Sequence, residues 1–114
     1  MLATNLKHIE SDAQFKDVIE NNENVMICCG RMGPMCLPVY DIMEGLEDKY
    51  ENVDFRDMAF DDPVSHVIRE LPETRTFMGL PMTVYFKNGK VVKATGSIQT
   101  KAQVTEIIDK NLQN

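Results

Sequence analysis

The chain has 114 residues, a formal net charge of −6 at pH 7 and 43% hydrophobic residues. This length suits a single core, so we predict one domain over residues 1–114. The acidic charge, without any cluster of Lys or Arg, argues against binding to nucleic acid or to anionic membranes. Neither a signal peptide nor a membrane-spanning segment is evident, so the sequence predicts a cytoplasmic protein.

The first half of the chain predicts a helix, a buried strand and a second helix. Ser11 followed by Gln14 is typical of a capped helix start. The unbroken apolar run 25–29 predicts a strand that is covered on both faces, as at the centre of a parallel or mixed sheet. After a Gly- and Pro-containing break at residues 30–34, apolar residues recur at helical spacing as far as Tyr50.

The second half of the chain completes an alternating pattern of strands and helices. Residues 53–58 alternate as a strand, and Asp62-Pro63 predicts the start of a short helix. Two β-rich runs within residues 82–95 form a predicted hairpin, and Thr100 is the expected cap of a last helix. With a less distinct strand near residues 7–9, the predicted order is β-α-β-α-β-α-β-β-α.

This order and several local motifs together resemble thioredoxin over nearly the whole chain. Leu80-Pro81, just before a predicted strand, is similar to the family's cis-proline loop, and Lys87-Asn88-Gly89-Lys90 matches the hairpin that follows it. Gly33-Pro34 fits the centre of the family's Trp-Cys-Gly-Pro-Cys motif, at the expected distance after the central strand. The resemblance implies an α/β thioredoxin fold, a central mixed β-sheet flanked by helices on both faces.

The redox motif itself departs from the family pattern. In this register Met32 and Met35 occupy both catalytic cysteine positions, and Arg31 takes the position of the tryptophan. The buried acid that the family carries in its central strand corresponds to Met26. The usual dithiol mechanism is therefore excluded.

Two cysteines nevertheless flank the Gly-Pro loop. Cys29 ends the predicted central strand, and Cys36 lies at the start of the following helix, whose N-terminus would stabilise a thiolate. A disulfide needs its two Cα atoms within roughly 4.4–6.8 Å, and the intervening Gly-containing loop is long enough to fold that closely. We predict Cys36 as the attacking thiol and Cys29 as the resolving thiol, because Cys28 should point to the opposite face of the strand.

The substrate surface is expected where the two active-site loops of this family meet. The resemblance implies that the residue before the cis-proline offers its backbone to a bound chain, which pairs like an added strand. Methionines on both loops would give an adaptable apolar surface, although simple packing explains them equally well. The predicted substrate-binding residues are Leu80, Pro81, Met32, Gly33, Pro34, Met35 and Met78.

The sequence thus predicts a monomeric thiol–disulfide redox protein without a cofactor. Its expected partners are protein disulfides or dithiols and a thioredoxin-reductase-like donor. The alternative is a redox-inactive binding module that keeps the groove, since both motif cysteines are lost and free cysteine often serves as a small buried hydrophobe.

A soft-metal site for Cu(I) is a further alternative for the cysteines and methionines at the loop. We predict no metal, because their spacing matches no strong metal-binding motif. His8 and His66 are expected at the surface or in packing, away from this cluster. The candidate Cu(I) set would be Cys29, Cys36, Met32 and Met35.

Overall fold

A computed structural model describes residues 2–112, so residues 1 and 113–114 of the predicted domain lie outside the described part. The described chain forms five strands and four α-helices, and a 3-10 helix over Pro63–Ser65 precedes the third α-helix. In chain order the elements are β1 (Lys7–His8), α1 (Asp12–Asn21), β2 (Asn24–Gly30), α2 (Leu37–Leu46), β3 (Val53–Ala59), α3 (His66–Arg69), β4 (Met82–Lys87), β5 (Lys90–Gly96) and α4 (Lys101–Asn111).

The five strands form one mixed sheet in the order β1-β3-β2-β4-β5. The strand β2 lies at its centre, parallel to β3 and antiparallel to β4. All seven residues of β2 are buried, as the unbroken apolar run predicts for a strand covered on both faces. The predicted mixed sheet is therefore confirmed.

Helices cover both faces of the sheet and enclose two core layers. The layer beneath α2 and α4 includes Val39, Met43 and Ile108, whereas the layer beneath α1 and α3 includes Val18 and Ile68. Removal of these apolar side chains from water is the main stabilising contribution to such a fold. Among residues 2–112, no helix has the length and apolar character needed to cross a membrane.

Local capping signals account for the starts of two of the four α-helices in the described chain. The Ser11 side chain accepts a hydrogen bond from the Gln14 backbone N–H at 3.1 Å, and α1 begins directly afterwards. At α4, Thr100 and Gln103 form a complete capping box. Asp62 makes no side-chain cap bond, and the segment after it begins as a 3-10 helix rather than as the expected α-helix.

The start of α2 borders the groove described below, whereas the hairpin turn lies at the opposite end of the sheet, where the Asn88 backbone N–H donates to the Glu23 carbonyl. Asn88 and Gly89 have φ angles of 53° and 78°, and two positive values are the signature of a type I′ hairpin turn. The helix α2 begins at Leu37, so Pro38 lies in its first turn and Pro34 lies in the preceding loop. This start leaves residues 31–36 outside the helix, and all of them except Met32 line the groove.

Candidate functional site

Two loops meet at one end of β2 and form an open groove. One is the segment 31–36 between β2 and α2, and the other precedes β4 and contains the cis peptide bond between Leu80 and Pro81. The cis bond and the proximity of the two loops agree with the sequence-based expectation. The residues that line the groove are Arg31, Gly33, Pro34, Met35, Cys36, Met78 and Leu80.

The methionines of these loops are unusually exposed for apolar side chains. Met32 and Met35 are each 45% exposed, and Met78 is fully exposed. Met82 is buried, so it belongs to the core rather than to this surface. Of the three exposed methionines, Met35 and Met78 line the groove.

Cys36 lies at the floor of the groove with its thiol turned toward the protein. It is the N-cap residue of α2 and only 3% exposed. Its sulfur accepts a hydrogen bond from the Arg31 backbone N–H at 3.4 Å. The backbone N–H of Cys36 donates to the Gly33 carbonyl at 3.1 Å, which closes the turn above the thiol. A reacting molecule therefore needs a displacement of this loop to reach the sulfur.

Gly30, the last residue of β2, provides the space that the Cys36 thiol fills. A Cβ atom at this position would lie 2.7 Å from the Cys36 sulfur, 2.7 Å from the Tyr40 hydroxyl and 3.2 Å from the Pro81 Cβ. The Tyr40 hydroxyl donates a hydrogen bond to the Arg31 carbonyl at 3.1 Å. Residues of the helix α2 and of both loops thus pack closely against Gly30 of β2, which has no side chain.

The structure places the other two thiols in different core layers. Cys28 shares the layer beneath α2 and α4 with Cys36, whereas Cys29 lies in the layer beneath α1 and α3. All three cysteines are free and buried. The alternation of Cys28 and Cys29 is as predicted, but the expectation that Cys28 would point away from Cys36 was wrong. Cys28 and Gly30 face the same side of the strand, and the Cys36 sulfur lies against Gly30.

Burial makes both strand thiols difficult to ionise. Burial raises the pKa of Cys28 well above the ordinary value, even though the Thr83 hydroxyl donates to its sulfur at 3.8 Å. Burial also raises the pKa of Cys29 to about 12, against the opposing influence of Arg69. Since the thiolate is the reactive form, neither cysteine reacts readily without a group that accepts its proton.

An ion pair ties the groove loop to the segment that follows β3. The Arg31 guanidinium donates to both carboxylate oxygens of Asp61, at 2.8 and 2.9 Å, and holds the pKa of Asp61 below its usual range. The same guanidinium lies 5.1 Å from the centre of the Phe60 ring. Because Arg31 and Asp61 are 56% and 64% exposed, water screens the pair and its stabilising effect is small.

The two histidines lie away from the groove but differ in their surroundings. The His66 side chain is 42% exposed and pairs with Asp12 at 2.7 Å, whereas His8 contacts the buried carboxylate of Asp57 at 2.5 Å. Within residues 2–112, no group of three or more His, Cys, Asp or Glu side chains is arranged to hold a metal ion. Because Cys29 faces the opposite core layer, the four candidate Cu(I) ligands are not brought together.

Sequence reasoning missed Asp57, although the sequence contains a signal for it. Val53 and Phe55 define the buried face of β3, and Asp57 continues the same alternation. A carboxylate on the buried face of a strand is rare unless it has a partner. The role of Gly30 was missed for a different reason, since its neighbours come from distant parts of the chain.

The architecture matches solved structures across almost the entire chain. A thioredoxin from Plasmodium falciparum has 23% sequence identity and a TM-score of 0.77, and the alignment covers 93% of this chain and 99% of that one. The chain has the thioredoxin fold. A thioredoxin from Malassezia sympodialis has 20% identity and a TM-score of 0.77, and the alignment covers 99% of this thioredoxin-fold chain and 96% of that one.

A third solved structure shares the architecture at still lower sequence identity. A mutant thioredoxin from Halobacterium salinarum has 15% identity and a TM-score of 0.79, with coverage of 95% of this chain and 91% of that one. No protein-family model matches the sequence, and no curated protein matches it significantly. The thioredoxin fold is thus shared at low sequence identity, and the likeness shows the fold alone.

Proposed function

We propose that this protein exchanges thiols with disulfides of partner proteins, with Cys36 as the attacking thiol and Cys28 as the resolving thiol. One observation carries the proposal. The Cys36 thiol lies at the floor of the groove, and a second thiol lies on the same side of the sheet, two residues along the strand from a glycine that Cys36 contacts. Cys29 was the resolving thiol predicted from sequence, but it faces the opposite layer.

The exchange balances over two steps. The Cys36 thiolate attacks one sulfur of the partner disulfide, forms a mixed disulfide and releases the partner's other sulfur as a thiolate. The Cys28 thiolate then attacks the Cys36 sulfur, forms the Cys28–Cys36 disulfide and releases the partner's second sulfur. The protons lost by Cys36 and Cys28 balance those gained by the two partner thiols. The protein is thereby oxidised by two electrons and the partner is reduced by two.

The groove offers a docking surface for the partner chain. Met35, Met78 and Leu80 line it with apolar atoms, and their contacts suit extended peptides with apolar side chains beside the disulfide. A partner that enters would displace the loop above Cys36 and so expose the thiol. A dithiol donor, such as a thioredoxin-reductase-like protein, would return both cysteines to the reduced state. We further propose a cytoplasmic monomer, since that compartment keeps thiols reduced.

Disulfide mapping after mild oxidation tests this function. Oxidation with a stoichiometric disulfide reagent should lower the intact mass by about two units relative to the reduced protein, because two thiol hydrogens are lost. Peptide mapping should find the bond between Cys28 and Cys36. Cys29→Ser is the matched control and should form the same bond, whereas Cys28→Ser should accumulate a mixed disulfide at Cys36.

Two outcomes would contradict the proposal in different ways. If the Cys28→Ser variant formed a Cys29–Cys36 disulfide in the same yield as the parent's disulfide, the resolving thiol would be Cys29, as predicted from sequence. Three titratable thiols after oxidation would exclude the exchange altogether.

The second candidate function is a redox-inactive binding module. The burial of all three thiols, together with the exposure of Met32, Met35 and Met78, favours it. In that case the groove binds a partner peptide through apolar contact, and the cysteines only fill the core. Thiols that remain titratable under the oxidation described above would favour this function over exchange.

A further inference from the structure

Three methionines beside the Gly-Pro loop and the cis-proline loop are open to solvent. Met78 is fully exposed, and Met32 and Met35 are each 45% exposed. A thioether is oxidised only where the oxidant can touch its sulfur, so a dissolved oxidant reaches these three first. The other methionines within residues 2–112 are at most 8% exposed, and they are Met26, Met43, Met58 and Met82.

Met35 and Met78 line the groove from different loops. Met35 belongs to the segment between β2 and α2, and Met78 belongs to the loop that precedes β4. Beside the Cys36 thiol, the other apolar side chains of the groove are Pro34 and Leu80. Thioethers thus provide two of the four apolar side chains on which docking of a partner chain depends.

Met32 differs from Met35 in position but not in exposure. Both belong to the segment 31–36 and both are 45% exposed, yet only Met35 lines the groove. Oxidation of Met32 therefore changes the surface outside the groove. The two methionines allow the effect of a modified groove to be separated from that of a modified surface.

The three thiols are less accessible than these thioethers. Cys28 and Cys29 are fully buried, and Cys36 is 3% exposed beneath the turn that its backbone N–H forms with the Gly33 carbonyl. Burial raises the pKa of Cys28 and of Cys29, and a protonated thiol is oxidised more slowly than a thiolate. An oxidant in the solvent therefore meets the groove methionines before it meets a reactive thiol.

We propose that Met35 and Met78 are sites of reversible oxidation by hydrogen peroxide, and that their sulfoxides weaken docking at the groove. The inference rests on the proposed function, in which an apolar partner chain docks there. Each thioether sulfur takes one oxygen atom from peroxide, so that an O–O bond breaks, an S–O bond forms and water leaves. The sulfur loses two electrons and the peroxide gains two. A methionine sulfoxide reductase supplies two electrons and two protons, restores the thioether and releases water.

The added oxygen atom makes the apolar lining of the groove polar. A thioether is a weak hydrogen-bond acceptor, whereas a sulfoxide is a polar group that binds water. An apolar partner chain that covers the sulfoxide removes this water without supplying a donor, which costs free energy. Oxidation should therefore lower the preference of the groove for apolar partner chains.

This preference can be measured with two peptide disulfides. Each peptide carries one cysteine as its mixed disulfide with 5-thio-2-nitrobenzoate. Leucine and valine flank that cysteine in the first peptide, and glycine and serine flank it in the second. Cys36 attacks the peptide sulfur, and the released coloured thiolate gives the rate. The ratio of the two rates reports apolar docking, because changes in the reactivity of the Cys36 thiol cancel.

Brief treatment with dilute hydrogen peroxide should modify the exposed methionines alone. Peptide mapping should find a gain of about 16 mass units at Met78, Met35 and Met32, because one oxygen atom is added to each. Titration should still find all three thiols. The rate ratio should fall about three- to tenfold, and methionine sulfoxide reductases for both epimers should restore it.

Leucine variants show which thioethers cause the fall. In the double variant Met35→Leu, Met78→Leu, peroxide should leave the rate ratio at that variant's own untreated value. Met32→Leu is the matched control, and its ratio should fall after peroxide as the parent's does. Circular dichroism establishes that each variant is folded. If the double variant does not fold, Met78→Leu and Met35→Leu tested singly should each show a smaller fall than the parent.

The possible failures can be told apart. A constant rate ratio in a protein that carries both groove sulfoxides would overturn the inference and leave the exchange function intact. Oxidation of Cys36 before Met78 would also overturn it, because the thiol would then be the first target. Equal rates for the two peptides in the untreated protein would overturn apolar docking and the inference with it. No release from either peptide would overturn the exchange function itself.

Discussion

At Gly30, a single methyl group would meet the Cys36 sulfur and the Tyr40 hydroxyl, each at 2.7 Å. Since the Pro81 ring closes the third side at 3.2 Å, the clash cannot be relieved by one flexible side chain. We expect Gly30→Ala to lower the free energy of unfolding by about 1–3 kcal/mol, as overpacked core substitutions do. The displaced Cys36 should also react faster with iodoacetamide. Urea unfolding and mass spectrometry of alkylated peptides measure the two effects.

Gly45 provides the control for that substitution. It lies within α2, and an added Cβ would meet no neighbouring atom within 4 Å. Gly45→Ala should therefore stabilise the protein by about 0.5–1 kcal/mol, because alanine favours the helix more than glycine does. Equal stabilities of the two alanine variants would show that the space around Gly30 is not restrictive.

The loop 31–36 is the element whose motion decides access to Cys36, and the pair between Arg31 and Asp61 restrains it. Asp61→Asn should increase the alkylation rate of Cys36. An exposed ion pair contributes about 0–1 kcal/mol, so we expect an increase of no more than about fivefold. The measurement is the rate of Cys36 modification in the folded protein at low salt, where screening is weakest.

Another exposed ion pair, far from the loop, is the control for the Asp61 variant. Glu106 and Lys110 lie one turn apart on α4 and pair at 2.9 Å. Glu106→Gln should leave Cys36 alkylation unchanged. The restraint would be refuted if both variants gave the same rate as the parent, or if 1 M salt failed to raise the parent's rate toward that of Asp61→Asn.

Elements governed by local signals were those that the sequence predicted well. The caps at Ser11 and Thr100 and the Asn88-Gly89 turn depend on atoms a few residues apart, and the structure contains all three. The sequence alone does not define the first residue of α2, because Pro34 and Pro38 are both suited to the first turn of a helix. The helix begins at Leu37, so Pro38 is the proline in its first turn.

At the scale of the whole molecule, the fold could be predicted, but which strand cysteine shares a core layer with Cys36 could not. Alternation along β2 shows that Cys28 and Cys29 face opposite sides. It does not show which side lies under α2, because a strand buried on both faces has no polar face to mark it. That choice depends on contacts between Gly30, Cys36 and Tyr40, which are brought together only in the folded chain.

The stability of the whole molecule should depend on pH through Asp57. Its carboxyl has a pKa of about 3.9 in the unfolded chain, and burial raises the pKa in the folded state. Between these two values the folded protein holds the proton that the unfolded chain has released. The free energy of unfolding contributed by Asp57 is therefore highest at low pH and falls as the pH rises through the raised pKa.

Urea unfolding of the wild type and of Asp57→Asn at a series of pH values isolates this effect. The stability of the wild type relative to the variant should decrease from about pH 4 toward neutral pH. Asp41→Asn, at an exposed position of α2, should not change the pH dependence in this way. A wild type that gains stability relative to Asp57→Asn over the same range would contradict the raised pKa.

The opposite orientations of Cys28 and Cys29 also bear on which substitutions each position tolerates. Position 29 packs against α1 and α3, where small apolar residues of similar volume can replace a thiol with little loss. Cys28 lies between Asp57 and Thr83 in the sheet register, in the core layer that contains Cys36. A replacement at position 28 must therefore match both the volume and the polarity of the thiol. Residue 28 is thus expected to change more slowly during evolution than residue 29, at which small apolar residues of similar volume are tolerated.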